Sequence, residues 1–363
     1  MNLKEQNILF FPRTMGLGGT ENVVLQLCKI LKPLVNKVVV CSCGGVNVDV
    51  LGKMGIKHYE IPDIESKSIK TVLSVSKRLL YIIKIENITI IHTHHRMAAF
   101  YVSLLGLYKK SCFINTAHNT FSNKRKLTRF AYKYANIIAC GEMVKRNLTE
   151  YFALPDTQVT VIHNTVMPFD GLLIEDELIR KLHAKGCFIV GNIGRLYKQK
   201  GMEYYIQSIP DVLKEHPQAR FLIIGGGEEE KKLKSLVKET GVESSVYFLG
   251  YRTDIQSLMS QIDLIVLSSL WEGFPLTPIE AFSVGKTIIA TAVDGTVEIV
   301  EDGKSGMLVS PCSSTQIAEK VNWAIEHPEE IKNMEMAAIK RFESEFSFEA
   351  LRQSYINYYR NLE

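Results

Sequence analysis

Long apolar runs are missing from this sequence of 363 residues. Stretches such as Ile88 to Ile91 or Ile262 to Leu267 stop well short of the roughly 18 residues a membrane-spanning helix needs, so a chain that crosses a bilayer is not expected. A signal-peptide core is missing too. Lys4 and Glu5 precede a strand-like Ile8 to Phe11, and the expectation is a cytoplasmic protein. The seven cysteines include no Cys-x-x-Cys pair, which argues against a disulfide framework or structural zinc and suits a reducing compartment. Acidic residues are missing over one long stretch. None lies between Glu86 and Glu142, where Arg96, Lys109, Lys110, Lys124, Arg125, Lys126, Arg129 and Lys133 supply eight positive charges. Residues 1–168 carry 22 Lys and Arg against 10 Asp and Glu, and the remainder carries 21 against 29. A net charge of +4 therefore conceals two halves of opposite sign.

What is present is an alternation of short β-branched runs with amphipathic helical stretches, the pattern of parallel sheets covered by helices on both faces. The first half offers strands at Asn7 to Phe11, Lys37 to Cys41, Lys57 to Ile61, Ile88 to His92, Cys112 to Ala117, Ile137 to Cys140 and Val159 to Ile162. A second series follows at Phe188 to Ile193, Arg220 to Ile224, Val246 to Leu249, Leu264 to Leu267, Thr287 to Thr291 and Gly306 to Val309. The expected fold is α/β, with two doubly wound Rossmann-like domains facing each other across a cleft. Residues 1–165 form the first domain, 166–185 a linker with Pro168 and Gly171 near its start, 186–346 the second domain, and 347–363 a helix returning toward the first. Ligands of such sheets collect at the carboxyl ends of the strands.

Those strand ends hold the informative residues. The first runs into Met15-Gly16-Leu17-Gly18-Gly19-Thr20-Glu21, where glycines let backbone amides approach an anion at a helix start. Glu21 occupies the position a dinucleotide fingerprint reserves for glycine, and no ribose-binding acid ends the second strand, so a nicotinamide or flavin enzyme is not expected. A turn needed only for chain reversal is the alternative. Gly194-Arg195-Leu196 closes a later strand, and Lys200-Gly201 follows. Arg195 by its fork and Lys200 as a point charge suit a diphosphate, although loop cations are often merely solvated. In Ser268-Ser269-Leu270-Trp271-Glu272-Gly273-Phe274-Pro275-Leu276-Thr277-Pro278-Ile279-Glu280, Thr277 reads as N-cap, Pro278 as the first helical residue and Glu280 as the partner of a capping box. Capping leaves Glu272, a second acid in a glycine-flanked loop, unexplained. His92-Thr93-His94-His95 invites a metal reading, but no carboxylate follows before Glu142, and no metal site is expected. His118 ends a strand and reads either as a core histidine or as a site residue.

With these motifs in this order, the sequence resembles the retaining glycosyltransferases of the two-Rossmann-domain (GT-B) type, in particular the family 4-like bacterial sugar transferases. Glu272 to Glu280 matches the family's Glu-x7-Glu motif. Gly16, Gly18, Gly19 and Glu21 match its N-terminal glycine loop, Arg195 and Lys200-Gly201 its donor-diphosphate grip, and Asp294-Gly295-Thr296 its following turn. The chain departs from the family at Asn164-Thr165, where Asn-Gly is frequent, and at Pro275, where glycine is frequent. The resemblance implies hexosyl transfer from a nucleoside-diphosphate sugar to a hydroxyl of a glycan or lipid-linked saccharide, in bacterial cell-surface polysaccharide synthesis, with the donor as substrate and no separate cofactor. It implies catalytic roles for His118, Glu272, Arg195 and Lys200. Donor contacts fall to Gly18, Gly19, Arg195, Lys200, Leu276, Thr277 and Glu280, with Glu280 on the ribose, Glu272 on sugar hydroxyls and His118 on the sugar's far side. The chain has no Asp-x-Asp pair, the metal-diphosphate device of the other large transferase fold, and metal independence is the expectation.

A sugar-nucleotide epimerase of the same fold is the runner-up, though it leaves the one-sided charge of the first domain unexplained. A basic module for nucleic acid or membrane is a third reading, but no nucleic-acid motif accompanies the charge. Arg125 to Ala135 is amphipathic at helical spacing, with Lys126, Arg129 and Lys133 on one side and Leu127, Phe130 and Tyr134 on the other. It suits peripheral docking on an anionic membrane surface at its inner face. The alternative is that its apolar side packs on the domain.

Overall fold

The computed structural model describes residues 1–362 apart from 67, 168 and 170. The chain forms two compact units, one of Met1–Asn164 together with the chain from Leu351 onward, the other of Thr165–Ala350. In the first unit seven parallel strands take the order β3-β2-β1-β4-β5-β6-β7. They are β1 (Asn7–Phe11), β2 (Lys37–Ser42), β3 (Lys57–Glu60), β4 (Ile90–Thr93), β5 (Cys112–Ala117), β6 (Asn136–Ala139) and β7 (Val159–Val161). In the second, six parallel strands take the order β10-β9-β8-β11-β12-β13. These are β8 (Ile189–Ile193), β9 (Arg220–Ile224), β10 (Val246–Gly250), β11 (Leu264–Leu267), β12 (Ile288–Thr291) and β13 (Met307–Val309).

The inner strands of both sheets are buried on both faces, which is why they read as continuous apolar runs rather than alternations. Register sets Leu9 between Val39 and Ile91 in one sheet, and Val190 between Phe221 and Leu264 in the other. Helices cover these faces. In the second unit Tyr205, Ile206, Ile209 and Val212 of helix Met202–Glu215 join Ile317 and Val321 of helix Ser314–Glu326 in one core with Val190 and Phe221. Each sheet has one place where strand order reverses, between β1 and β4 and between β8 and β11. The loops leaving those strands diverge there and open a crevice at their carboxyl ends.

The stretch 166–185 differs from the linker expected. Its described part lies in the second unit and contains helix Glu177–His183, whose start is capped by Asp176 accepting from the Leu178 and Ile179 amides. Ile179 and Leu182 are buried, and Arg252 holds Asp176 at 2.8 Å. A capped, anchored helix with an apolar face packs as part of a domain. Pro168 lies outside the described residues.

The final helix, Phe348–Arg360, packs into the first unit from Leu351. Its Tyr359 hydroxyl lies 2.7 Å from His92 Nδ1 on β4, and His92 Nε2 lies 2.7 Å from Thr116 Oγ1 on β5. Both histidine nitrogens are thus occupied inside a fully buried site. Replacing Tyr359 by Phe leaves one of them unpartnered, and we expect a loss of about 1–3 kcal/mol in urea unfolding. A loss near zero would mean the hydroxyl does not hold that ring.

Candidate active site

At the strand reversal of the second unit, the loop after β8 carries Arg195, Gln199 and Lys200, and the loop after β11 carries Ser268 to Pro275. These loops are joined by a charge pair. Lys200 Nζ donates to Glu272 Oε1 at 2.5 Å, and the two side chains are 14% and 8% exposed. Ser269 Oγ donates to the same oxygen at 2.6 Å, while Gln199 Nε2 bonds the Trp271 carbonyl at 3.0 Å. Ser268 Oγ donates to the Lys200 carbonyl at 2.9 Å and accepts from Asn192 Nδ2 at 2.9 Å. Thr291, at the end of β12, donates to the Ser269 carbonyl at 2.6 Å. Three strand ends are therefore tied into one network around a carboxylate taken out of water, which is what a buried charge requires.

Close backbone approach makes this possible. Gly225 has φ +141°, and a Cβ there would lie 1.9 Å from the Gly194 carbonyl oxygen; a Cβ on Gly295 would lie 2.2 Å from that of Gly273. Neither position has room for a side chain.

Helix Leu276–Ser283 starts two residues earlier than the capping box requires. Pro275, extended at φ −71° and ψ 137°, is the N-cap, and no side chain caps the helix. Thr277 is already helical, so the box expected of Thr277 and Glu280 does not form. Pro278 is tolerated inside the first turn because the amide it lacks would have had no helical partner. The Leu276 and Thr277 amides, left without a side-chain cap, are the donors of a helix start, where anions are favoured.

Glu280, freed from capping, is partly buried. Burial raises its carboxyl to about 7, against the lowering effect of the Lys200 charge. Arg195, in contrast, is exposed, its guanidinium 5.4 Å from the Tyr197 ring centre. The second unit therefore gathers Lys200 with Glu272, sets Glu280 within reach of the Lys200 charge, and leaves Arg195 in the same loop with no ion pair among the described residues.

Gly18, Gly19 and His118 belong to the first unit. Gly18 is the N-cap of helix Gly19–Leu31 with no side-chain cap, and a Cβ on it would lie 2.5 Å from Glu21 Oε2. Glu21 itself accepts from Thr14 Oγ1. His118 follows β5, and its Nε2 is 3.1 Å from His94 Nδ1. Burial, helped by His95, pushes His118 down to about 4, and burial pushes His94 down as well. Both rings are neutral near pH 7, so they share one proton between facing nitrogens. His94 Nε2 is buried without a hydrogen-bond partner among the described residues.

Ser269 and Gln199 were not singled out in the sequence, nor was the contact of His94 with His118. The histidine run, weighed as metal ligands, divides its work. His92 braces two elements, His94 meets His118, and His95 Nδ1 accepts from the Met97 amide at 3.2 Å and caps helix Arg96–Leu104. Among the described residues the one group with ligand atoms close enough for a metal is Glu215, His216 and Glu326. The amphipathic stretch forms a helix with a small buried side. Helix Arg125–Tyr132 buries Thr128, Ala131 and Tyr132, while Phe130 and Tyr134 stand 43% and 44% exposed. No helix of the described residues is long and apolar enough to cross a membrane.

Comparison with known proteins follows this division. Residues 17–168 match the family described as Glycosyltransferase Family 4, and residues 174–341 match Glycosyl transferases group 1. An uncharacterized glycosyltransferase of Methanocaldococcus jannaschii is 27% identical over 263 residues, 67% of each chain. The UDP-Gal:alpha-D-GlcNAc-diphosphoundecaprenol alpha-1,3-galactosyltransferase of Escherichia coli is 25% identical over 318 residues, 81% of each chain. The fold is that of Anabaena HepE, solved in complex with UDP, with a TM-score of 0.85, 22% identity and coverage of 98% of this chain and 100% of that one.

The Glu280 carboxyl gives a test with a defined sign. A carboxyl raised from 4.5 to about 7 binds more protons folded than unfolded, so its cost is absent below pH 4.5 and complete above pH 7. Glu280→Gln should raise the melting temperature at pH 8 by roughly 5 °C and change it little at pH 4.5. Equal effects at both would show that Glu280 titrates normally.

Proposed function

The chain belongs to the glycosyltransferases that join a Family 4 half to a group 1 half in two Rossmann-like domains, and on that premise we propose a retaining hexosyl transfer from a nucleoside-diphosphate sugar. The acceptor is a hydroxyl of a glycan or lipid-linked saccharide in bacterial cell-surface polysaccharide synthesis. One observation carries the reading: the Lys200–Glu272 pair at the strand reversal, 2.5 Å apart and mostly buried, with Arg195 in the same loop and in no ion pair among the described residues. A cation held against a carboxylate in a ligand crevice can change partners when a stronger anion arrives.

The diphosphate takes the charges of Lys200 and Arg195 together with the Leu276 and Thr277 amides. Glu272, released from Lys200, accepts from hydroxyls of the donor sugar. Glu280 accepts from the ribose, and the amides near Gly18 and Gly19 face the donor from the first domain. The bond from the anomeric carbon to the phosphate oxygen breaks, and its electron pair leaves with the diphosphate. The acceptor oxygen bonds to that carbon on the same face, and its proton passes to the departing phosphate oxygen. His118, neutral near pH 7, contacts the sugar as a hydrogen-bonding group rather than as an acid. Arg195 and Lys200 supply the countercharge, so the reaction is metal-independent and needs no cofactor beyond its donor. The acceptor is a lipid-linked saccharide at an anionic membrane, a reading supported by the diphosphoundecaprenol substrate named for the E. coli relative and by exposed Phe130 and Tyr134 beside Lys126, Arg129 and Lys133. The protein then works at the inner face of that membrane without crossing it.

Arg195→Ala should lower kcat/KM by roughly 2–4 kcal/mol of transition-state stabilisation with unchanged melting. Lys200→Ala should lower it as far and also cost stability, because Glu272 is left as an uncompensated buried charge. Acceptor-dependent release of nucleoside diphosphate is the readout, and wild-type turnover in either variant overturns the grip. The same assay should proceed in EDTA; loss there with recovery on adding manganese would contradict metal independence.

A further inference from the structure

Helix Ile69–Ile85 is anchored on one side only. Ser68 caps its start by accepting from the Thr71 amide, and Val75, Leu79 and Ile82 are buried at spacings of four and three. An ordinary surface helix turns charged and polar residues outward. This one exposes Ile69 at 80%, Leu73 at 56%, Tyr81 at 53%, Ile85 at 48% and Leu80 at 47%. Spacings of four and seven put Ile69, Leu73 and Leu80 on one stripe, and Lys70, Lys77 and Lys84, each seven apart, form the stripe beside it.

The helix contains no acidic residue. Carboxylates near its ends are engaged elsewhere, Asp63 and Glu65 by Arg13 and Glu86 by Lys37 and Lys57. Among the described residues, the side-chain ammonium groups of Lys70, Lys77 and Lys84 enter no ion pair or hydrogen bond. A row of unpaired ammonium groups beside an exposed aliphatic stripe is not organised for water.

We propose that this face docks on an anionic lipid bilayer, the helix lying in the plane of the interface. Ile69, Leu73 and Leu80 enter the boundary between headgroups and acyl chains, while the lysines extend their stems along it and reach the phosphates. A second copy of the chain fits poorly, since its lysine row would meet an identical one.

Topology supplies company. The connections from β3 to β4, β4 to β5 and β5 to β6 all step the same way across the sheet, and right-handed crossovers set their helices on one face. Helix Ile69–Ile85 thus shares a layer with helix Arg125–Tyr132. The inference rests on the membrane reading above and adds to it the longer element, which sequence periodicity did not single out.

The test uses the full chain and sedimentation with vesicles, either phosphatidylcholine alone or phosphatidylcholine mixed with phosphatidylglycerol. Binding is expected on the anionic vesicles only. Replacing Lys70, Lys77 and Lys84 together by Ser should weaken it about a hundredfold at low salt. Replacing Ile69, Leu73 and Leu80 together by Ser should remove the binding that survives at high salt. Both triple variants change exposed positions and should melt like the wild type. If both bind like the wild type while replacing Lys126, Arg129 and Lys133 abolishes binding, this inference fails and the membrane reading stands. No binding by the wild type to either vesicle defeats both. A change confined to self-association in light scattering would make the face a contact between copies and overturn the proposal.

Discussion

The contact between Lys200 and Glu272 is the constraint around which the second domain's site is organised. Two opposite charges have been withdrawn from water at the one place where the sheet's connections diverge, and each is tolerable because the other is there. Ser269, Gln199 and Thr291 extend the pair into a frame linking the ends of β8, β11 and β12. Gly225 against Gly194 and Gly295 against Gly273 hold the loops at distances no side chain permits. The loops are thereby fixed before a ligand arrives, and preorganisation of this kind is where electrostatic stabilisation of a leaving group is strongest.

The first domain uses the same topological device with different chemistry. Its crevice lies between β1 and β4, but a glycine turn and a chain of neutral imidazoles take the place of a charge pair. His92 stacks on His94 at 4.3 Å, and His94 meets His118. Burial keeps all three rings uncharged near pH 7, so the positive potential of this half comes from its surface cations. One domain concentrates charge inside its site and the other distributes it over its exterior. That division suits a donor carrying a diphosphate and an acceptor presented at an anionic surface.

The thirteen strands of the described residues were legible, most to within a residue, and all but β3 from apolar runs, because buried parallel strands carry their signal in composition alone; β3, Lys57–Glu60, is an edge strand with no buried residue. The spacing of Glu272 and Glu280 pointed to the loop after β11 and the helix that follows it, which is where the structure places them. What escaped depended on packing that a local pattern cannot express. Thr277 looked like an N-cap because Thr-x-x-Glu is a local signal, yet Pro275 was extended and took that place. The His92 to His95 run looked uniform, but His92 and His94 stack on each other with different further partners, Tyr359 and His118, while His95 caps the helix that follows. In helix Arg125–Tyr132 the buried side is Thr128, Ala131 and Tyr132, leaving Phe130 partly exposed beside Phe100. Periodicity finds an apolar stripe but does not say whether a domain or something else covers it. Residues 166–185 were read as a linker from Pro168 and Gly171, whereas the Asp176 cap and its bond to Arg252 make part of the stretch structural.

The account stands or falls on Lys200 exchanging Glu272 for a diphosphate. The most direct measurement is a crystal structure of the protein with a bound nucleoside diphosphate. The account predicts that the phosphates lie within hydrogen-bonding distance of Lys200 Nζ, the Arg195 guanidinium and the Leu276 and Thr277 amides, with Glu272 turned free of Lys200. A diphosphate bound elsewhere, with the Lys200–Glu272 pair intact, would contradict it.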